Sequence, residues 1–96
     1  MTDLLITREM DARGGRYVAK IAGSDAEAEL TFRRDGDVFV ADHTGTPVAL
    51  RGRGIATKLV ERMVADARIE GFRIRPACPF VVSLFSQHPD WAALRG

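Results

Sequence analysis

Residues 51–57, Arg-Gly-Arg-Gly-Ile-Ala-Thr, combine two glycines and two arginines at the start of an amphipathic segment. A pyrophosphate needs several hydrogen-bond donors at once, and the first turn of a helix supplies unpaired backbone N–H groups. Glycine at positions 52 and 54 leaves those groups uncovered, while arginine at 51 and 53 adds charge-assisted contacts. A Gly-x-Gly alone also occurs in flexible surface loops, so the surrounding elements decide between the two interpretations.

Two further residues, His43 and Cys78, carry side chains that can take part in covalent or proton-transfer chemistry. An imidazole accepts a proton near neutral pH, although at the end of a strand it can simply bond to a neighbouring carbonyl group. A free thiol can act as a nucleophile or a proton donor, or it can pack as a small apolar side chain. The residue types leave these alternatives open.

The first half of the chain is strand-like. In Ala26–Arg34, apolar residues at 28, 30 and 32 alternate with polar ones, as in a half-buried antiparallel strand. Val38–His43 is apolar at most positions, which indicates a central strand covered on each side. Two further strands are predicted at Leu4–Thr7 and Arg16–Ala22, and the turns at Gly14-Gly15, residues 23–25 and residues 35–37.

The second half is helical. From Ile55 to Glu70 apolar residues recur at helical spacing, and Gly71 stands where a C-terminal cap belongs. The opposite face of this helix is assigned to polar residues: Thr57, Lys58, Glu61, Arg62, Asp66 and Arg68. A short strand at residues 72–75, a helix from Pro79 to Gln87 and a last turn at residues 90–94 follow. The aromatic residues assigned to the core are Phe32, Phe39, Phe72, Phe80 and Trp91.

This order of elements predicts an α+β fold. The sheet is mixed and mostly antiparallel, with about five strands. The helix between the fourth and fifth strands makes those two strands neighbours and parallel. One long helix follows strand four, and one or two short helices lie near the C-terminus.

Composition limits the classes of function. The 96 residues predict one domain, 1–96, and a formal charge of +1 argues against nucleic acid as a partner. A single cysteine excludes an internal disulfide and suits a reducing cytoplasm. With no long apolar run, we expect a soluble cytoplasmic protein without a membrane partner. The oligomeric state cannot be read from the sequence.

Four segments in order, residues 43–47, 51–56, 78–81 and 88–91, resemble motifs of the GCN5-related N-acetyltransferases, and most closely their small single-domain branch. The resemblance covers about residues 14–95. It implies a compact sheet whose strands four and five splay apart, with acetyl-CoA between them as a substrate and no metal. The residues implied to bind coenzyme A are Val48, Arg51, Gly52, Arg53, Gly54, Ile55, Ala56 and Thr57.

The resemblance also implies transfer of an acetyl group from acetyl-CoA to an amine of a small molecule or a protein. His43 would be the base, and Cys78 would be an acetyl acceptor or a proton donor to the leaving sulfur. Relatives often carry an acidic residue at the position of Gly45, and they often carry a tyrosine near the position of Leu84. This chain has neither. The nearby Asp42 would face away from His43 on a regular strand. The alternative is a module that binds coenzyme A or acyl-CoA without turnover, as a sensor or carrier.

Overall fold

A computed structural model describes residues 4–96 and contains a five-stranded mixed sheet with the order β1-β2-β3-β4-β5. The strands are β1 (Leu4–Met10), β2 (Gly14–Ile21), β3 (Glu27–Asp35), β4 (Val38–Gly45) and β5 (Arg73–Pro76). Neighbouring strands from β1 to β4 are antiparallel, and β4 and β5 are parallel. The predicted α+β class and the parallel pairing are therefore confirmed.

Two α-helices and two 3₁₀ segments complete the fold. Helix α1 spans Ile55–Glu70 and α2 spans Pro79–Gln87, with the bounds predicted from the sequence. The 3₁₀ segments are Val48–Leu50, between β4 and α1, and Pro89–Leu94 after α2. Gly71 ends α1 in the left-handed region at φ 86°, and its N–H donates to the carbonyl oxygen of Ala67.

Both helices cover the same face of the sheet. Leu59, Val60 and Met63 of α1 are fully buried, in one cluster with Leu30 of β3 and Val81 of α2. Each such side chain contributes about 1.5 to 3 kcal/mol through burial. Four of the five aromatic residues assigned to the core are buried as predicted, but Phe80 is 37 % exposed. Phe80 lies in the first turn of α2, where its ring lines a cleft instead.

The opposite face of the sheet is polar, and we call it the open face. Ion pairs link its strands, including Arg16 with Glu29 and Lys20 with Glu27, at 3.0 Å each. Val18 and Val40 lie outside the core cluster and are still only 2 % exposed. The burial of Phe39, Val40 and Ala41 agrees with the prediction that strand four is covered on each side, although both helices pack on the core face.

The turn between β1 and β2 differs from the prediction. Gly14 and Gly15 begin β2 instead of forming the turn. The Asp11 side chain organises the turn by accepting hydrogen bonds from the N–H groups of Arg13 and Gly14. A Cβ at position 15 would collide with the carbonyl oxygen of Glu9. The glycine is thus required by a close backbone approach.

A β-bulge interrupts the pairing of β3 with β4. Thr31 pairs with His43 and Phe32 pairs with Ala41, so Asp42 is an extra residue on β4. The Asp42 carboxylate accepts a hydrogen bond of 2.6 Å from the Thr31 hydroxyl on the open face. The expectation that Asp42 faces away from His43 is therefore wrong, because the bulge places both side chains on that face.

A buried polar cluster fixes α1 against the sheet. Asp66, assigned by helical spacing to the exposed face, is 9 % exposed and accepts a hydrogen bond of 2.9 Å from the hydroxyl of Tyr17 on β2. Burial, above all, raises the pKa of Tyr17, which keeps the phenol protonated as the donor. Arg62 and Arg8 also contact the Asp66 carboxylate. This cluster sets the position of α1, whose N-terminus forms part of the site below.

Candidate active site

The glycine-rich segment forms a tight loop that leads into α1. Gly52 and Gly54 have φ angles of 78° and 70°, in the left-handed region. Residues with a Cβ adopt this region at a cost of roughly 1 to 2 kcal/mol. The positive φ angles therefore explain why glycine occupies both positions. Gly54 is also the N-cap residue of α1.

The N-terminus of α1 carries free donors. The N–H of Lys58 is bonded to the carbonyl oxygen of Gly54, so the N–H groups of Ile55, Ala56 and Thr57 precede the first intrahelical bond. Among residues 4–96, no side chain caps this end, and the first turn contains no acidic residue. The positive end of the helix dipole adds to these donors, and together they favour an anion.

Space for a ligand lies in front of this turn. A Cβ built on Gly52 or Gly54 would have no neighbour within 4 Å. A cavity of about 220 Å³ opens there. Its lining residues are Thr46, Leu50, Arg51, Gly52, Gly54, Ile55, Ala56, Thr57 and Phe80. Six of the eight residues expected to bind coenzyme A therefore line this cavity.

The other two expected binding residues lie outside this lining. Val48 is 77 % exposed in the 3₁₀ segment. Arg53 lines a neighbouring cavity of about 370 Å³ together with Lys58. Arg51 also holds the loop in place, because its Nε donates to the carbonyl oxygen of Thr46 at 3.1 Å.

A gap opens between β4 and the chain that follows β5. The parallel pairing ends at Ala41 and Pro76, directly before the bulge at Asp42. The carbonyl oxygen of Ala41 then accepts hydrogen bonds from the N–H groups of Ala77 and Cys78, at 3.0 and 2.9 Å. Beyond this point β4 continues to Gly45 while the other chain turns into α2. The two strands therefore separate, as the resemblance implies.

Cys78 lies directly after the point where the two strands separate, as the N-cap residue of α2. It is 8 % exposed, and its Sγ lies 3.5 Å from Oγ1 of Thr44. Burial acts to raise the pKa of the thiol, but contacts with the Thr44 hydroxyl and with the N–H groups of Phe80 and Val81 outweigh it, and the pKa is lowered. The thiolate is the reactive form of cysteine, so this environment favours reactivity.

Replacing Thr44 by valine should make Cys78 less acidic. Valine keeps the shape of threonine but loses the hydroxyl that stabilises the thiolate. The thiolate then forms only at higher pH, and we expect the midpoint of alkylation by iodoacetamide to rise by about one pH unit. The extent of alkylation at each pH is measured by mass spectrometry of quenched samples, and the midpoint is read from the resulting curve. Thr44→Ser, which keeps a hydroxyl, is the control, and equal midpoints in all three proteins would contradict the assignment.

His43 lies on the other side of β4 from Cys78. Its side chain is 60 % exposed on the open face, with Nε2 3.8 Å from Oε2 of Glu29. Thr44, the next residue along the strand, faces Cys78 instead. His43 and Cys78 therefore flank the end of β4 from its two faces.

Two residues of this region, Thr44 and Glu29, were not singled out from the sequence, and a third, Phe80, was assigned to the core. Thr44 contacts the thiol, Glu29 faces His43 from β3, and Phe80 lines the cleft. Alternation from Leu30 places Glu29 on the polar face of its strand, but only the register places it opposite Gly45. The tyrosine that relatives carry near the position of Leu84 has no counterpart in this site. The single tyrosine of the chain, Tyr17, is buried against Asp66, and Leu84 itself is only 8 % exposed.

Residues 4–96 contain neither a cluster of metal-binding side chains nor a helix that could span a membrane. In that range, no three His, Cys, Asp or Glu side chains converge in a way that could hold a metal ion. Within the same residues, the helices are too short or too polar to cross a bilayer.

Comparison with known families agrees with this geometry. No curated protein matches the sequence closely enough to count as a relative. A family model described as GCN5-related N-acetyl-transferase matches residues 16–94, which include β3, β4, the loop, both helices and Cys78. Since the match covers most of the sequence, the chain belongs to the GCN5-related N-acetyl-transferase family.

Proposed function

We propose that the protein transfers an acetyl group from acetyl-CoA to an amine. The observation that carries this proposal is the uncapped N-terminus of α1, which lines one cavity with Phe80 of α2, two residues after the Cys78 thiol. Membership of an acetyltransferase family supports the reaction class. Acetyl-CoA is a substrate here, and the acceptor is an amine on a small molecule or a protein.

The donor substrate would be held by the loop and the strand edge. The N–H groups of residues 55–57 would bind the pyrophosphate, with Arg51 and Arg53 near enough in sequence to add charge. Past Ala41, the edge of β4 has no partner strand and offers backbone groups to the amides of the pantetheine arm. This path leads the thioester toward Thr44 and Cys78.

A direct reaction uses both faces of β4. A neutral amine attacks the acetyl carbon, and His43 takes the proton that the nitrogen loses. The carbon–sulfur bond breaks, and the coenzyme sulfur receives the proton of Cys78. Solvent then carries the proton from His43 to Cys78, which restores both residues.

A covalent reaction uses Cys78 as the acetyl acceptor. Its thiolate attacks the acetyl carbon and displaces the coenzyme thiolate, which leaves an acetyl-cysteine. The amine then attacks this second thioester, gives a proton to His43 and releases the Cys78 thiolate. The proton on His43 passes through solvent to the coenzyme sulfur, so both routes have the same products.

Two measurements test the proposal against a binding module without turnover. Isothermal titration measures the affinity for acetyl-CoA, and a thiol-release assay follows free coenzyme A over a panel of amines. Release that depends on the amine supports the enzyme. Tight binding with release no faster than spontaneous hydrolysis favours the sensor or carrier, which the burial of Tyr17 away from the cleft also motivates.

We also propose a cytoplasmic location. Cys78 is free, and both catalytic routes require it as a thiol or a thiolate. The reducing cytosol keeps exposed and partly exposed thiols in that form.

A further inference from the structure

A cavity of about 370 Å³ opens on the open face, where β2 begins. Gly14 lies two residues before Arg16 and therefore on the same face, and it contributes no side chain there. The residues that line the cavity are Glu9, Met10, Asp11, Gly14, Gly15, Arg16 and Thr31. A cavity of this size accommodates part of a small organic molecule.

A row of four side chains across the open face connects this cavity to the proposed base. Glu9 pairs with Arg16 across β1 and β2, and Arg16 pairs with Thr31 across β2 and β3. Thr31 in turn pairs with His43 across β3 and β4. Three strand spacings of about 4.8 Å separate β1 from β4, so the row is about 14 Å long. The cavity therefore lies at one end of the row and His43 at the other.

The cavity carries an excess of negative charge. Its lining holds the carboxylates of Glu9 and Asp11 but only one cation, Arg16. That cation is shared, since Arg16 contacts Glu29 as well as Glu9, at 3.0 Å each. Within residues 4–96 the Asp11 carboxylate forms no ion pair, and its Oδ1 accepts hydrogen bonds from backbone N–H groups only. The excess of negative charge attracts a cation.

The remaining lining suits a hydrocarbon chain. Met10 is 40 % exposed, and Gly14 and Gly15 add only backbone to the wall. The Thr31 hydroxyl already donates to the carboxylate of Asp42 at 2.6 Å, so it needs no partner from a ligand. An apolar chain that ends in a cation therefore matches both the walls and the charge of the cavity.

We propose that this cavity, the distal subsite, binds a second ammonium group of the acceptor. The inference rests on the proposed acetyltransferase function and names the acceptor class as a linear diamine. One amino group reacts beside His43, and the other stays charged and unreacted against Glu9 and Asp11. If each nitrogen stands about 3 Å from its partner, the two nitrogens must be at least about 8 Å apart to reach both ends of the row.

The thiol-release assay with amines of matched length tests the distal subsite. With bonds of about 1.5 Å, the nitrogens of extended octamethylenediamine lie about 11 Å apart and those of tetramethylenediamine about 6 Å. Per amino group, wild-type protein should use octamethylenediamine with a kcat/KM about fivefold above that for octylamine, the gain expected of a partly exposed ion pair. Tetramethylenediamine is too short and should show no such gain over butylamine.

Glu9→Gln and Asp11→Asn, combined in one protein, should remove this gain. Each amide keeps an oxygen that can accept the present hydrogen bonds, from Arg16 and from the turn, while the charge is lost. The kcat/KM for octylamine and the Kd for acetyl-CoA should stay unchanged. Glu27→Gln is the matched control, because that carboxylate pairs with Lys20 outside the cavity and its removal should leave the gain intact.

Three kinetic results would overturn the distal subsite and leave the acetyltransferase function standing. One is an equal kcat/KM per amino group for octamethylenediamine and octylamine in the wild-type protein. Another is a gain that persists in the double variant or disappears in Glu27→Gln. The third is a gain of the same size with tetramethylenediamine, which would place the second charge close to His43. Absence of thiol release with every amine would instead overturn the proposed function.

Binding can be followed without turnover through the NMR signals of glycine amides. Gly14 and Gly15 line the cavity, whereas Gly23 follows the other end of β2 and serves as an internal control. Octamethylenediamine added to the wild-type protein with coenzyme A should shift the signals of Gly14 and Gly15 and leave that of Gly23 in place. The double variant should lose the shift. Unchanged Gly14 and Gly15 signals in the wild-type protein would overturn the distal subsite whatever the kinetics show.

Discussion

Replacing Gly54 by glutamate should abolish acetyl-CoA binding while the chain stays folded. The new side chain would enter the cavity in front of α1, where its carboxylate would take the place of the pyrophosphate at the free N–H groups. Nothing lies within 4 Å of the added Cβ, so the cost to folding is the left-handed φ of 70°, about 1 to 2 kcal/mol. Isothermal titration should show at least about a hundredfold weaker binding.

Gly36→Glu is the matched control for this change. Gly36 has a φ of 61°, and a Cβ there would also meet nothing within 4 Å. It lies in the turn that precedes β4, whereas the glycine-rich loop follows the other end of that strand. The control should show the same loss of thermal stability with unchanged affinity. Wild-type affinity in Gly54→Glu would remove the role of the α1 N-terminus.

Replacing Cys78 by alanine should reduce turnover by about a hundredfold or more with little change in the Kd for acetyl-CoA. Both proposed routes use the thiol in the chemical step, whereas the proposal assigns the binding contacts to the α1 N-terminus. Cys78 is a small side chain, so the cavity left by alanine should cost only about 1 kcal/mol of folding stability. The thiol-release assay at saturating acetyl-CoA measures the loss.

Intact-protein mass spectrometry separates the two routes. An acetyl adduct on the wild-type protein that is absent from Cys78→Ala indicates the covalent route. Cys78→Ser serves as the comparison, because its hydroxyl is a poor nucleophile at neutral pH but keeps the size of the side chain. Wild-type rates in Cys78→Ala would show that the thiol only packs against Thr44.

Local patterns in the sequence predicted most of the fold. Helix α1 begins and ends as expected, because its apolar stripe at 3.6-residue spacing stops at a glycine that adopts a left-handed conformation. Helix α2 is bounded equally well by Pro79 and by the residues before Pro89. The glycine-rich loop was also predictable, since Gly52 and Gly54 mark positive φ angles that other residues avoid.

The arrangement of the site depended on contacts between distant residues. A bulge adds one residue without a sequence signal, so strict alternation along β4 placed Asp42 on the wrong face. Asp66 has a polar side chain, and its burial is explained by its partners Tyr17 on β2, Arg8 on β1 and Arg62 on the same helix. The approach of Glu29 to His43 likewise follows from the register of β3 against β4.

The extra residue on β4 bends the strand, and the residues after the bulge stay on the faces that their pairing with β3 gives them. Thr31 already pairs with His43, and Phe32 with Ala41, so a chain lacking Asp42 would continue as a regular strand with His43 and Thr44 on their present sides. Such a single-codon deletion would straighten the strand where it now leaves β5. The opening between β4 and the chain after β5, where we propose that the coenzyme arm binds, would narrow, while the imidazole and the thiol would keep their places. Asp42 thus controls the width of the proposed entry route without controlling which faces of β4 carry His43 and Thr44.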